Sequence, residues 1–322
     1  MQNKIALLGL GEIGSRHLQA LTAISNSTDL YCVDPSLNST NLARSRISQI
    51  VKAKDLNLFF HDSIKELPSS LDLVIIATSS DIRLKVLKEI ALKSDIKNIL
   101  FEKVLFQKTN DLLEADSILK RNRIKSWVNC PRRLWPVYSE VKSLLKGKNN
   151  IKFKLDGGSW GMACNLIHYI DIFEWISGSR VIEIDIDNLD QEIFESKRRG
   201  FFEFTGKINA KYSNENKMSL ISAKENNLSF IIISAPGLNI ELNESSGEMI
   251  VTTKAESYQK QFITPFQSDL SGIISQQIIQ NKENPLLPSY LESSRQHKLM
   301  LNSFISHFEK ILNKKLDYCP IT

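Results

Sequence analysis

Gly9-Leu10-Gly11-Glu12-Ile13-Gly14 follows directly on the apolar run Ile5-Ala6-Leu7-Leu8 and leads into a helix-like segment from Ser15 to Ile24. In the order strand, glycine turn, helix, each glycine has its own reason. Gly9 permits the tight turn, Gly11 lets a phosphate approach the backbone, and Gly14 lets helix and strand pack closely. The N–H groups at the helix start then face the anion. The next apolar run, Leu30-Tyr31-Cys32-Val33, ends in Asp34, 20 residues beyond Gly14. An acid at that strand end is placed to accept hydrogen bonds from ribose hydroxyls. The stretch therefore reads as a dinucleotide site made by Gly9, Gly11, Glu12, Ile13, Gly14 and Asp34. A glycine-rich structural turn with Asp34 as a helix cap is the alternative.

The chain has 322 residues, long for one core, which predicts two domains. A hydrophobic content of 42% and a charged content of 24% describe an ordinary globular protein. The net charge is +5, and the basic residues are scattered apart from short clusters such as Lys197-Arg198-Arg199. That pattern reads as solvated surface and gives no footprint for nucleic acid. No apolar run approaches the length of a membrane span. Met1 leads straight into the first strand, so no signal peptide is expected. The four cysteines, Cys32, Cys130, Cys164 and Cys319, include no C-x-x-C pair, which points away from structural zinc and toward a reducing cytoplasm.

Through residue 125 the apolar periodicity alternates between strand and helix. Strand-like runs cover 4–9, 29–34, 57–61, 71–78 and 97–103, with a closing strand at 124–130. Helix-like runs cover 15–24, 36–52, 81–93 and 109–122. This predicts an α/β domain over 1–125 with a doubly wound parallel sheet, and ligands at the carboxyl ends of its strands. Gly9, Asp34, Thr78 and Lys103 fall at those ends. Residues 126–322 read differently. A linking helix is expected over Pro131 to Lys146, then a strand at 151–155 and an apolar helix at 162–177. Short runs rich in Ile, Phe and Thr follow at 181–187, 191–195, 201–210, 217–223, 228–235, 237–243 and 248–253. Asn226-Asn227, Pro236-Gly237 and Ser246-Gly247 separate several of them. The expectation is an α+β domain with a mostly antiparallel sheet, closed by helices at 266–280 and 289–313.

Three constellations can carry chemistry. Phe101-Glu102-Lys103 ends the fifth strand, where a lysine can exchange a proton with a hydroxyl or carbonyl as hydride moves. A surface lysine paired with Glu102 is the plain alternative. Asn165, His168 and Asp171 lie at i, i+3 and i+6 in the otherwise apolar helix and form one polar stripe. Such a stripe is satisfied internally or lines a cavity. The preceding Gly157-Gly158-Ser159-Trp160-Gly161 adds weight to a site there, whereas a metal lacks further ligands. Thr78 and Ser79 border the nicotinamide ribose if the cofactor is a nicotinamide dinucleotide, or else cap the following helix.

In order and spacing these motifs resemble the glucose–fructose oxidoreductase / inositol dehydrogenase (Gfo/Idh/MocA) family over nearly the whole chain. The likeness includes Asn129-Cys130-Pro131-Arg132-Arg133 and its lead into Pro136. It implies a Rossmann domain followed by an α/β domain with a large open sheet. It also implies hydride transfer between NAD, with NADP as the alternative, and a sugar, cyclitol or nucleotide-linked sugar. It makes Lys103 and His168 catalytic, Glu102 and Lys103 part of the cofactor site, and Asn165, Asp171, Arg132 and Trp160 candidates for the substrate. It further implies a homodimer or homotetramer through the C-terminal sheet, for which the alternation at Phe202 and Phe204 is the sequence signal. Two positions depart from the family pattern. Val104 stands where the family has proline, and Cys164 stands four residues before His168, where an aspartate is usual. A redox-assisted epimerase or lyase of the same fold and a non-catalytic cofactor-binding sensor are the rival readings.

Overall fold

A computed structural model describes residues 2–50, 55–225, 228–280 and 285–322. The end of the expected second helix, at 51–52, and the Asn226-Asn227 turn lie outside the described residues. The chain forms two compact units. The first comprises Met1–Phe106, Asn110–Pro131 and Pro265–Glu292; the second comprises Gln107–Thr109, Arg132–Thr264 and Ser293–Thr322.

The first unit is built on β1 (Asn3–Leu8), β2 (Thr28–Val33), β3 (Leu56–His61), β4 (Ser70–Leu71), β5 (Leu73–Ile76), β6 (Asp95–Ile96), β7 (Asn98–Phe101) and β8 (Lys125–Val128). Six of these strands form one parallel sheet in the order β3-β2-β1-β5-β7-β8, and β4 pairs with β6 beside it. Ile5 to Leu8, Leu73 to Ile76 and Ile99 to Phe101 are buried, as strands covered on both faces require. The helices are α1 (Glu12–Leu21), α2 (Leu37–Ser48), α3 (Arg83–Lys93) and α4 (Thr109–Arg121). The strand order reverses between β1 and β5, and that switch point is where a doubly wound sheet opens a crevice at its carboxyl edge.

Beyond the linker the elements are α5 (Pro136–Leu144), β9 (Lys152–Gly157), α6 (Met162–Ser177), β10 (Val181–Glu195), β11 (Phe202–Tyr212), β12 (Lys217–Ser222), β13 (Phe230–Ala235), β14 (Leu238–Asn243), β15 (Glu248–Thr253), β16 (Ser257–Gln261), α7 (Gln267–Gln280) and α8 (Tyr290–Leu312). Strands β9 to β16 form one sheet in the order β10-β11-β12-β9-β13-β14-β15-β16. It is antiparallel except where β9 runs parallel to β12. The expected linking helix is shorter than its periodicity implied. A 3-10 turn spans Pro131–Leu134, Trp135 is extended, and α5 starts at Pro136. Proline disfavours a helical residue before it and fits the first helical position.

The two runs at 181–187 and 191–195 are one strand with register shifts. Opposite Leu189 sits Gly206 at φ +114, where a Cβ would meet Leu189 Cα at 2.7 Å. Strand β16, Ser-Tyr-Gln-Lys-Gln, has no apolar signature and sits at the sheet edge. Phe204 is covered within its own unit, edge-on to Phe304 and Phe308 of α8, and Phe202 meets Phe308. Exposed apolar residues on this sheet include Ile182 of β10 and, beside Asp156 and Lys154 of β9, Phe230 and Ile232. Late in the chain, α7 packs on α1 so closely that a Cβ on Gly272 would sit 2.6 Å from the Ala20 carbonyl oxygen.

Candidate active site

The glycine turn joins β1 to α1. Gly9 has φ +93, and a Cβ there would lie 2.9 Å from Thr78 N. A Cβ on Gly14 would run into the carbonyl oxygen of Gly9. Gly11 is different: no atom of the described residues lies within 4 Å of the Cβ it lacks. It is the N-cap of α1 and supplies no side-chain cap to the first N–H groups. Two glycines thus pack the turn and the middle one leaves a cradle. Asp34 is tied into the same turn: Leu10 N–H donates to its Oδ2 at 2.7 Å and Ser36 N–H to its Oδ1 at 2.8 Å. An ionised carboxylate has about four acceptor positions, so Asp34 keeps capacity for ribose hydroxyls. Arg44 lies 3.9 Å above the Phe60 ring, and Arg16 donates to Gln19. Arg46 donates to the Glu12 carbonyl at 2.8 Å and pairs with the Glu12 carboxylate.

Farther along this carboxyl edge, Thr78 follows β5, and its buried Oγ1 has no hydrogen-bond partner among the described residues. An open cradle and an orphaned hydroxyl on one edge fit a dinucleotide lying across it. Ser79, adjoining Thr78, is half-buried. Lys103 is half-buried at the end of β7, and its peptide bond to Val104 is cis. The preceding Glu102 is 4% exposed and accepts from His17 Nε2 at 2.7 Å and Asn129 Nδ2 at 2.5 Å. Burial pushes the Glu102 carboxyl up. The hydrogen bond and charge of His17, the bond from Asn129 and the charge of Lys103 outweigh it and hold the group below its ordinary 4.5. On the other side the buried Arg83 guanidinium donates to the carbonyls of Thr78, Val104 and Leu105. Sequence reasoning passed over His17 and Arg83. A single histidine or arginine in a helix carries no local signal of what it will meet.

In the second unit α6 starts at Gly161, which is left-handed at φ +72. Around the Cβ that Gly161 lacks stand Cys164 Sγ at 3.1 Å, Asn165 Nδ2 at 3.2 Å and Glu203 Oε1 at 3.4 Å. Glu203 caps the helix, accepting from Ala163 N at 2.7 Å and Cys164 N at 3.1 Å. Asn165 donates to the Trp160 carbonyl at 2.8 Å, and His168 is half-buried one turn on. Asp171 is fully buried and accepts both Arg133 Nε and a terminal nitrogen, at 3.0 and 2.6 Å. Trp160 is held by the Ile221 carbonyl and stands edge-on to Tyr169, with ring centroids 5.2 Å apart. Arg132 stacks 4.6 Å from the centre of the same Tyr169 ring. The structure thus gathers Trp160, Asn165, His168 and Arg132 around α6, and gives Asp171 a buried partner.

Glu244, missed in the sequence, takes Arg132 in a two-pronged bond at 2.8 Å from each nitrogen and the Tyr138 hydroxyl at 2.6 Å. Burial pushes the Glu244 carboxyl up, but Arg132's charge and hydrogen bonds and the Tyr138 bond hold it below the ordinary 4.5. Burial also pushes the Tyr169 hydroxyl up to about 12. A carboxyl depressed in the folded state adds stability above its unfolded pKa, and that stability is lost as pH falls through the folded value. Glu244→Gln is therefore expected to cost about 3 kcal/mol at neutral pH, because it leaves Arg132 buried beside a neutral group. The deficit should begin to shrink as pH falls below about 4.5, the ordinary value of an unfolded glutamate, and disappear as pH passes the lower value of the folded carboxyl. Urea melts of both proteins across pH check this; a pH-independent difference contradicts it.

Among the described residues, no group of three or more His, Cys, Asp or Glu side chains is arranged to hold a metal, and no helix is long and apolar enough to cross a membrane.

The fold joins an N-terminal Rossmann-like parallel sheet to a large, mostly antiparallel C-terminal sheet. No family model matches the chain, and no curated protein matches its sequence. Solved structures do. UDP-N-acetylglucosamine 3-dehydrogenase GnnA from Acidithiobacillus ferrooxidans superposes with a TM-score of 0.70 at 10% identity, over 94% of this chain and 95% of that one. An oxidoreductase from Agrobacterium radiobacter, in complex with NAD+, L-tartaric acid and magnesium, gives 0.72 at 14% identity over 93% and 94%. The transcriptional regulator Gal80p from Kluyveromyces lactis gives 0.71 at 15% identity over 95% and 92%. At these identities the likeness shows the fold, shared by dehydrogenases and a regulator alike.

Proposed function

We propose that this chain is an NAD(P)-dependent oxidoreductase of the Gfo/Idh/MocA type, acting on a CH–OH group of a sugar, cyclitol or nucleotide-sugar. The observation that carries the reading is the open Gly11 cradle, with Asp34 tied into its turn, on the same carboxyl sheet edge as Lys103. The dinucleotide, when bound, supplies the hydride chemistry. The N–H groups at the start of α1 hold the pyrophosphate. Asp34 accepts the ribose hydroxyls, and Thr78 and Ser79 border the second ribose. Lys103 takes the proton from the reacting hydroxyl, or returns it to the carbonyl in the reverse direction. His168 has, by resemblance, the role of orienting that hydroxyl, and His168→Asn tests it. The reading as a whole is tested by titrating NADH and NADPH against the protein and assaying turnover with a sugar panel.

A non-catalytic regulator that binds the cofactor is the second reading. Cys164 in place of a carboxylate and the likeness to Gal80p favour it. Binding of the cofactor without hydride transfer to any substrate would decide for it.

NAD is expected over NADP. Asp34 stands where a 2′-phosphate would sit, and like charges brought together cost several kcal/mol, so discrimination should be at least about tenfold. Competitive titration measures it; equal affinities refute this role for Asp34.

Self-association through the eight-stranded sheet is also part of the reading. Phe230 is 49% and Ile232 37% exposed on one sheet face, an apolar pair that a second copy would cover. Light scattering at micromolar concentration should give a dimer or tetramer; a monomer counts against it.

A further inference from the structure

Behind Lys103 lies a closed ring of polar side chains, buried apart from the half-buried Gln267. Starting at Glu102, Oε1 accepts from Asn129 Nδ2, and the same nitrogen donates to Gln267 Oε1 at 2.9 Å. Gln267 Nε2 donates to Ser271 Oγ at 2.7 Å, and that hydroxyl lies 2.7 Å from His17 Nδ1. His17 Nε2–H then returns to Glu102 Oε1 at 2.7 Å. His17 and Ser271 are fully buried, and Asn129 is 2% exposed. His17 and Ser271 stand 254 residues apart in the chain, joined where α7 packs on α1.

From Glu102 the ring also reaches toward the edge of the sheet. The other Glu102 oxygen, Oε2, accepts the backbone N–H of Lys103 at 3.2 Å. Apolar side chains would join α1 to α7 equally well, since replacing a buried polar cluster by packed hydrophobes is often neutral or stabilising. A carboxylate needs donors, and here its donors fix which way it faces. We propose that His17 is a positioning residue for Lys103: it acts through Glu102, and Ser271 and Gln267 of α7 hold it in place. Its effect on turnover rests on the dehydrogenase reading; its effect on Lys103 does not.

The test uses two polar replacements. Glutamine places its amide near His17 Nε2 and can still donate to Glu102. Asparagine places its amide near Nδ1, toward Ser271, and leaves Glu102 short of a donor. Competitive acetylation with acetic anhydride, read by mass spectrometry on the cofactor-free protein, gives the reactivity of Lys103 relative to the exposed Lys85. His17→Gln should leave that ratio near wild type, and His17→Asn should change it severalfold, whatever their melting temperatures. On the active enzyme, His17→Asn should lower kcat by about 10², the order that a misplaced group costs, with cofactor Kd little changed and His17→Gln close to wild type. If His17→Asn does not fold, Ser271→Ala, which removes the partner of Nδ1, takes its place and should shift the ratio in the same direction by less. A ratio that stays constant across the folded variants, or that follows melting temperature instead of the Gln/Asn distinction, overturns the proposal. Failure of the wild type to bind any dinucleotide would refute the dehydrogenase reading and leave the labelling result to decide His17.

Discussion

Gly11→Val should abolish dinucleotide binding while the protein stays folded. Gly11 has φ −61 and ψ −160, extended backbone that valine adopts, and no atom of the described residues lies within 4 Å of its added Cβ. The fold therefore has no stake in a glycine here. The branched side chain would fill the space in which the pyrophosphate must meet the start of α1. Its neighbours behave in the opposite way. A Cβ on Gly14 runs into the Gly9 carbonyl, so a substitution there damages packing before it damages binding. Fluorescence titration with NADH, alongside circular dichroism, separates the cases. Wild-type affinity in a folded Gly11→Val protein removes the phosphate cradle from the account.

Lys103→Met should lower turnover by about 10²–10⁴, the range for losing a positioned proton-transfer group. Methionine keeps much of the side-chain volume and removes the charge and the protons. Glu102 remains held by His17 and Asn129, and Arg83 still binds the carbonyls of residues 104 and 105, so the surrounding backbone has no reason to move. Cofactor affinity should change far less than kcat. Equal losses in both would make the lysine a binding group.

How much of this was legible in the sequence depends on the range of the interaction. The glycine turn, Asp34 and the strand ends were readable because local spacing sets them: the turn needs its glycines and the buried strands need near-continuous apolar runs. The polar strand β16 was not, since an edge strand made of Ser, Tyr, Gln, Lys and Gln has no alternation to detect. The split of β10 into two runs had the same origin. A bulge admits polar residues, and the glycine beside one of its shifts, Gly206, lies on the neighbouring strand. Phe202 and Phe204 were read as a face needing a partner, but α8, about a hundred residues later, covers them. Around the candidate site, the sequence singled out Lys103 by its strand end but not the side chains packed around its segment. His17, Arg83, Gln267 and Ser271 come to the Glu102–Leu105 segment and its hydrogen-bond ring only through tertiary pairing, as Glu244 comes to Arg132.

The central claim is that Lys103 and the Gly11 cradle serve hydride transfer. The most direct measurement follows reduced nicotinamide absorbance when the protein is mixed with NAD and a panel of sugars, cyclitols and nucleotide-sugars, with Lys103→Met run in parallel. The account predicts reduction of NAD with at least one of them, strongly diminished in the variant. Turnover that survives unchanged in Lys103→Met, or tight NAD binding with no transfer from any member of the panel, would contradict it.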